Sequence, residues 1–377
     1  MLRRGWVRFL GEMQAQASLV ADDWAALLSR FPADLDLPRV GRETGAFLRP
    51  RGVPDAATLL RLALVRGPGG LSVDLTSAWA ELAVVASLSG PSLHDRLHQS
   101  VEFLQEITRR LLVRPVSEGG LWDGLHLRLA DSTSLSEPGS AGTDWRVHAV
   151  YDLAGGRFTH LALTDGHGGE ALDRGEPVAG ELRVCDRGFC NGPAFLRYLR
   201  QSAAVGADFI VRMRWRGLKL WTAAGRPFDL FGLLDDIAAP GETASACVQM
   251  QVGKGKARVP LRVIAVRLPD DKAEANRKRL RQSASRKQTT PEPNSLLAAG
   301  FVIVATSLPA AIPAADVLAT YRLRWQIELA FKRLKSLLHI DRLPTHTQRG
   351  GQSWLYAHLI LALLCEDLTQ DFLESFP

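Results

Sequence analysis

The chain has little that would staple or anchor it. Its four cysteines, Cys185, Cys190, Cys247 and Cys365, form no C-x-x-C pair. That excludes a disulfide framework and a zinc site of this spacing, and it suits a reducing cytoplasm. No apolar run approaches the roughly 20 residues needed to span a bilayer. The longest candidate, Leu355–Cys365, is interrupted by His358 and predicts a buried helix. The start, Met1 to Leu10, carries Arg3, Arg4 and Arg8 but no long apolar stretch, so neither a signal peptide nor a membrane partner is expected. Internal repeats are absent as well.

What is there is apolar mass and unevenly placed charge. With 46% hydrophobic and 23% charged residues the chain can bury a large core and is not of disordered type. Its 377 residues point to two or three domains. The net charge of +6 and pI of about 9.3 lean weakly toward a polyanionic partner. The distribution says more. Residues 212–300 hold 17 Lys and Arg against 8 Asp and Glu, net +9, whereas residues 121–211 hold 8 against 12, net −4. Residues 1–120 are nearly balanced at 14 against 13. An acidic segment beside a basic one fits a metal site serving a phosphate backbone; a charged, solvated helix face accounts for the basic segment equally well.

Residues 1–120 read mainly as helix. Thr76–Leu88 has helical apolar spacing, Ser89-Gly90-Pro91-Ser92 marks a turn with Ser92 as N-cap, and a second helix is predicted from Leu93 to about Arg110. This is the layout of a helix-turn-helix DNA reader, with His94, Arg96, His98 and Gln99 able to face DNA, and equally of an ordinary helical hairpin. From residue 121 the pattern changes to strands: Leu125–Ala130 ending at Asp131, Arg146–Leu153 and Phe158–Thr164 joined at Gly155-Gly156, and Glu181–Cys185 ending at Asp186. A helix over Pro193–Ala203 and a strand over Asp208–Met213 complete a mixed α/β sheet. Further strands are predicted over Leu218–Trp221, Ala244–Val252, Val259–Leu268 and Phe301–Ala305, with a basic helix over Lys272–Lys287. A long helix follows over Ala314–Leu338, opened by Pro313, and a helical tail over about Ser353–Phe372.

Asp131 and Asp186 each fall where an apolar strand is expected to stop, a position from which a carboxylate reaches a cleft. Two such acids on neighbouring strands repel, and a divalent cation relieves that repulsion. For either acid alone, a turn or cap role explains the position as well. On the helix YRLRWQIELAFKRLKSLL, at 100° per residue, Tyr321 lies about +20° from Glu328, Arg324 about −40° and Lys335 about −20°. These four form one narrow polar stripe flanked by Trp325 and Phe331. The stripe is either a salt-bridge ladder or part of a site.

The sequence resembles the DDE transposases of bacterial insertion sequences, of the insertion-sequence-four type. Its Y-(two)-R-(three)-E-(six)-K signature is met by Tyr321, Arg324, Glu328 and Lys335; LADSTSL with Asp131 and CDRGF with Asp186, Arg187, Gly188 and Phe189 match the two acidic motifs. Trp145–His148 and Leu163–Glu170 look like the family too, and the similarity runs from about residue 70 to about 340. The resemblance implies an RNase H-like α/β fold. Its expected parts are a helical N-terminal DNA-binding region over 1–120, a first core part over 121–213, a β-rich basic insertion over 214–306, and a second core part with a C-terminal helix over 307–377.

The same resemblance implies in-line phosphoryl transfer on double-stranded DNA. Asp131, Asp186 and Glu328 would be the catalytic acids and the metal ligands, holding two Mg²⁺ ions roughly 3.5–4 Å apart, with Mn²⁺ able to substitute. Tyr321, Arg324, Lys335 and Arg187 would bind DNA phosphates. Trp215 and Trp221 are candidates for stacking a flipped base at a hairpin end, with core packing as the other explanation. A homodimer acting on transposon ends and target DNA, in the bacterial cytoplasm at the nucleoid, is expected. Related enzymes often continue beyond the signature helix, so the stretch up to Pro377 would be either a compact tail or one lacking part of the dimerisation segment. The alternatives are an inactive or domesticated transposase that only binds DNA, and an RNase H-like nuclease that only hydrolyses.

Overall fold

The computed structural model describes residues 24–113, 124–140, 142–253, 258–338 and 343–375, without the side chains of 333–338 and 368–375. The basic Met1–Leu10 stretch read above lies outside the described residues. Helices come first: α1 (Trp24–Leu28), α2 (Leu37–Glu43), α3 (Ala56–Arg66), α4 (Val73–Leu82), α5 (Gly90–Gln99) and α6 (Val101–Leu112). The central part is β1 (His126–Leu135), β2 (Trp145–Asp152), β3 (Arg157–Asp165), β4 (Glu181–Cys185), α7 (Gly192–Ser202) and β5 (Asp208–Arg212). The insertion adds β6 (Lys219–Trp221), α8 (Leu230–Asp235), β7 (Thr243–Gln251), β8 (Arg258–Arg267), α9 (Asp270–Arg286) and α10 (Pro293–Ala298). The chain returns through β9 (Phe301–Thr306), α11 (Ala314–Arg322), α12 (Trp325–Leu338) and α13 (Gln348–Ser375).

All nine strands join one mixed sheet in the order β3-β2-β1-β4-β5-β9-β8-β7-β6. β1 pairs in parallel with β4, and β4 with β5; the other pairings are antiparallel. The strands of the insertion therefore extend the sheet through β9 instead of forming a separate layer. Alternation along the strands divides the core in two. Leu127, Leu129, Leu182 and Val184 face the N-terminal helices, α12 and α13. Ala130, Cys185, Phe209 and Val211 face α7 and the insertion. The hairpin between β2 and β3 closes as expected, with Gly156 at φ 60° supplying the left-handed residue.

Several boundaries differ from the sequence reading, each for a local reason. β1 runs through Asp131 to Leu135, because residues 131–135 keep pairing with β2 after β4 has ended. The helix expected over Leu93–Arg110 is two helices: buried Ser100 donates its hydroxyl to the Leu97 carbonyl and turns the axis. Its N-cap is Ser89, which accepts from Ser92 N, so the helix starts three residues early. α4 begins at its cap Ser72 and stops at Leu82, where Val84 at φ 54° reverses the chain. The long helix expected over Ala314–Leu338 breaks at Leu323-Arg324. There the amides of Leu323, Arg324, Gln326 and Ile327 reach back three residues rather than four.

The C-terminal helix packs against the first described helices. Arg349, in the first turn of α13, pairs with Glu102 at 2.6 Å and donates to the His98 carbonyl at 2.7 Å. Leu355, Leu359, Ile360 and Leu363 then bury against the N-terminal helices. His358 is buried in this helix, its Nδ1 lying 2.8 Å from the Trp354 carbonyl oxygen. Among the described residues, no helix is long and apolar enough to cross a membrane.

Further along α13, Glu366 accepts the Phe158 amide of β3 at 3.1 Å. Burial, reinforced by Asp367 and opposed by that hydrogen bond and by Arg157, pushes its carboxyl up to about 7. The folded state thus prefers the protonated acid, so this group lowers stability as pH rises from about 4.5 through 7. Glu366→Gln is expected to raise the urea-unfolding free energy by about 1–2 kcal/mol at pH 8 and by much less at pH 5. A gain of equal size at both pH values would contradict the assignment.

Candidate active site

The register of β1 and β4 creates the site. Ala130 lies opposite Cys185 in the last paired position. The next residues are Asp131 and Asp186, which continue the alternation of Leu129 and Val184 onto the face covered by α12. Asp131 Oδ1 accepts the Ser132 amide at 2.8 Å. Asp186 caps a short 3₁₀ turn over Arg187–Phe189, accepting the Gly188 amide at 2.6 Å. Both carboxylates are therefore oriented by the backbone that follows them.

The break between α11 and α12 supplies the third acid. Arg324, at the break, donates from Nη1 to Asp131 Oδ2 at 3.3 Å and from Nη2 to Glu328 Oε1. Its guanidinium thus bridges a carboxylate that is 15% exposed and one that is 59% exposed. Burial above all, then the negative charges of Asp186 and Glu170, pushes Asp131 up to about 6, against the pull of the Ser132 amide and Arg324. The Arg324 guanidinium is held charged: Glu328, Tyr321 and Asp131 outweigh its burial.

Among the described residues, no three His, Cys, Asp or Glu side chains close into a set of metal ligands. The chemistry of the donors nevertheless suits a hard divalent cation. Asp131 and Asp186 follow the paired ends of β1 and β4, and the Arg324 guanidinium links Asp131 to Glu328, standing where positive charge is needed. One of the three still holds its proton well above the usual carboxylate range.

Around the acids lies a group of cations. The Arg187 pKa is lowered by burial and then by the like charges of Arg212 and Arg214, with Asp186 and Tyr321 opposing. Tyr321 is pushed up by burial, among Arg324, Arg212 and Asp186. Tyr321 thus lies near Arg187 and Arg324, Arg324 reaches Glu328, and Arg212 and Arg214 join them without having been anticipated. Their position at the end of β5, next to β4, was the available signal. Lys335 is in α12, but its side chain lies outside the described residues. Glu170 was also missed as a site residue: its Oε1 accepts the Ser132 hydroxyl at 2.6 Å and lies 3.5 Å from Arg146 Nη1.

The expected aromatic walls divide. Trp325 is 49% exposed beside Glu328, whereas Phe331 is buried in the core against Phe158. Trp215 donates to Ser295 Oγ at 3.2 Å and packs edge-on to Phe231; Trp221 donates to Gln251 Oε1 at 2.9 Å. Arg216 and Arg258 each lie 4.3 Å from the ring centre of these two indoles. Trp221 is on β6, the edge strand farthest from β1 and β4 on that side of the sheet, whereas Trp215 directly follows Arg214 just past the end of β5. Of the residues read as facing DNA, His94 stacks on His98, His98 meets Thr347, and Arg96 donates to the carbonyls of Arg49 and Arg51. Of these four, Gln99 is exposed and the other three are half-buried.

The chain is similar to known proteins over most of its length. A family described as Transposase DDE domain matches residues 122–364. The transposase for insertion sequence element IS421 of Escherichia coli is 41% identical over 361 residues, covering 94% of this chain and 96% of the relative. InsL of insertion sequence element IS186A, from Escherichia coli K12, is 41% identical over 360 residues with the same coverage. The transposase for element IS231F of Bacillus thuringiensis subsp. israelensis is 27% identical over 320 residues, covering 74% of this chain and 65% of the relative.

Two neighbouring half-buried carboxylates cost stability when no cation neutralises them. With a chelator at pH 8, Asp131→Asn is expected to unfold at higher urea concentration than the wild type, by about 1–3 kcal/mol. Added Mg²⁺ should narrow or reverse the order, because only the wild type gains the full binding free energy. A variant less stable than the wild type under chelation would contradict this.

Proposed function

The chain belongs to the DDE transposase family, and from that premise we propose that Asp131, Asp186 and Glu328 are its catalytic acids and the ligands of two Mg²⁺ ions. The protein is a metal-dependent enzyme that cuts and transfers DNA. The observation that carries the finer assignment is the register that brings Asp131 beside Asp186, with Arg324 linking Asp131 to Glu328.

When bound, the ions supply Lewis-acid activation of the attacking hydroxyl and stabilisation of the leaving 3′-oxygen. The chain's own residues do the rest. Asp131 and Asp186 are pre-aimed by the amides of Ser132 and Gly188, so little reorganisation is needed when cations enter. Arg324, which here donates to Asp131 and Glu328, would fork onto a phosphate once those carboxylates held cations. Arg187, Arg212 and Tyr321 line the same cleft and take the phosphates flanking the scissile bond, with Lys335 further along α12. Hydrolysis of a transposon end and attack of the freed 3′-hydroxyl on target DNA are the same displacement with different nucleophiles, so one site serves both.

The helical region over 1–120 serves to grip transposon ends, and the basic insertion over 214–306 lies along the duplex. Trp215 or Trp221 stacks a flipped base. Two copies act together, because two ends must be joined, and the enzyme works in the bacterial cytoplasm at the nucleoid. Mn²⁺ substitutes for Mg²⁺.

Asp186→Asn is expected to abolish divalent-cation-dependent cleavage of an end-bearing duplex, with binding of that duplex retained in a gel-shift assay. Cleavage at wild-type rate would sink the assignment. Products joined to a target plasmid are expected from the wild type; nicks without joining would support a nuclease instead. Arg187→Ala should reduce the slope of log affinity against log salt by about 0.9; an unchanged slope means that Arg187 touches no phosphate.

A further inference from the structure

Glu170 is a fourth carboxylate beside the acids, and the family reading gives it no role. It sits on the loop between β3 and β4, 18% exposed. Its Oε1 accepts the Ser132 hydroxyl, and Ser132 donates its amide to Asp131. Arg146 Nη1 lies 3.4 Å from that same hydroxyl and 3.5 Å from Oε1. Ser132 and Arg146 are on the face of the sheet opposite Asp131, by the alternation of β1 and its pairing with β2. Glu170 therefore supports Asp131 from behind.

Its other oxygen touches the second acidic segment. A Cβ placed on Gly188 would lie 1.5 Å from Glu170 Oε2 and 3.0 Å from Asp186 Oδ1. Gly188 does not adopt a left-handed backbone, so turn geometry does not demand glycine there. Space does: the Glu170 carboxylate fills the place of the missing side chain. Gly188 is also the residue whose amide holds Asp186.

The loop that carries Glu170 is itself fixed. Fully buried Arg183 pairs with Glu181 at 2.5 Å and donates to the carbonyls of Leu172, Arg174 and Gly175 at 2.8, 2.9 and 3.0 Å. Arg174 Nε in turn donates to Gly169 O at 2.9 Å, and Asp165 accepts the amides of His167 and Gly168. Both sides of Glu170 are thus tied down before its carboxylate reaches the site.

We propose that Glu170 is a positioning residue that joins the two aspartate-bearing segments, and that residue 188 is glycine to admit its carboxylate. The proposal rests on the assignment of Asp131 and Asp186 as cation ligands. Groups that orient metal ligands without touching the metal typically contribute 10- to 100-fold in affinity.

The test is Mn²⁺ binding to the full chain by calorimetry, with no DNA present, alongside thermal unfolding and binding of an end-bearing duplex. Glu170→Ala is expected to weaken Mn²⁺ binding about 10- to 100-fold and to leave unfolding and duplex binding unchanged. Glu170→Gln, which keeps an oxygen acceptor for Ser132, should retain most of the affinity. Gly188→Ala should lose affinity too, and the Glu170→Ala, Gly188→Ala double variant should lose no more than the worse single variant, because both remove one shared contact. Wild-type affinity in Glu170→Ala, or losses that add in the double variant, would overturn the proposal. If Glu170→Ala does not fold, the comparison of Gly188→Ala with Glu170→Gln decides: loss only in Gly188→Ala supports it, and equal wild-type affinity overturns it. Asp186→Asn separates the two levels. If it binds Mn²⁺ normally, the assignment of the acids fails; if it loses binding while Glu170→Ala does not, only the role of Glu170 fails.

Discussion

Two carboxylates side by side at the end of a parallel strand pair repel each other, and much of the surrounding structure answers that repulsion. Asp131 and Asp186 are neighbours because β1 and β4 run in parallel with Ala130 opposite Cys185. Each accepts one backbone amide, Arg324 meets Asp131, and burial above all, with the charge of Asp186 adding to it, pushes Asp131 up to about 6. A site balanced in this way is a poor resting place for its own charges and a good one for a divalent cation. The cost in stability is the ordinary one for a site built ahead of its ligand.

The sheet and helices make that adjacency rigid. One face of β1 and β4 is covered by the N-terminal helices, α12 and α13, the other by α7 and the insertion. α13 clamps α5 and α6 through Arg349 and its row of leucines, so the first and last described parts of the chain are one packed unit. The break at Leu323-Arg324 matters most for chemistry. A continuous helix would keep Arg324 in the same stripe as Glu328. At the tighter turn its guanidinium reaches Asp131 while Glu328 stays exposed.

Much of this was legible in the sequence because it depends on local pattern. The apolar strand Glu181–Cys185 followed by Asp186, the glycine turn at Gly155-Gly156, and the spacing of Tyr321, Arg324 and Glu328 all carry their meaning within a few residues. What was not legible depends on partners distant in the chain. Nothing local ends β4's pairing with β1 at Ala130, so the continuation of β1 past Asp131 could not be read. The breaks at Ser100 and Leu323-Arg324 lie in segments whose helical periodicity continues across them. Glu170 and Arg212 sit far from the acids in sequence and reach them only through strand order. The contacts that His94, Arg96 and His98 make with one another, with Thr347 and with the carbonyls of Arg49 and Arg51 likewise depend on folding.

On the proposed assignment, Arg324 stands in for cations that Asp131, Asp186 and Glu328 would hold. The most direct measurement is anomalous diffraction from crystals of the protein grown with Mn²⁺. Anomalous peaks in contact with all three carboxylates are expected, with the Arg324 guanidinium withdrawn from Asp131. Mn²⁺ bound elsewhere, or Arg324 still bridging Asp131 and Glu328 with the ion in place, would contradict that assignment.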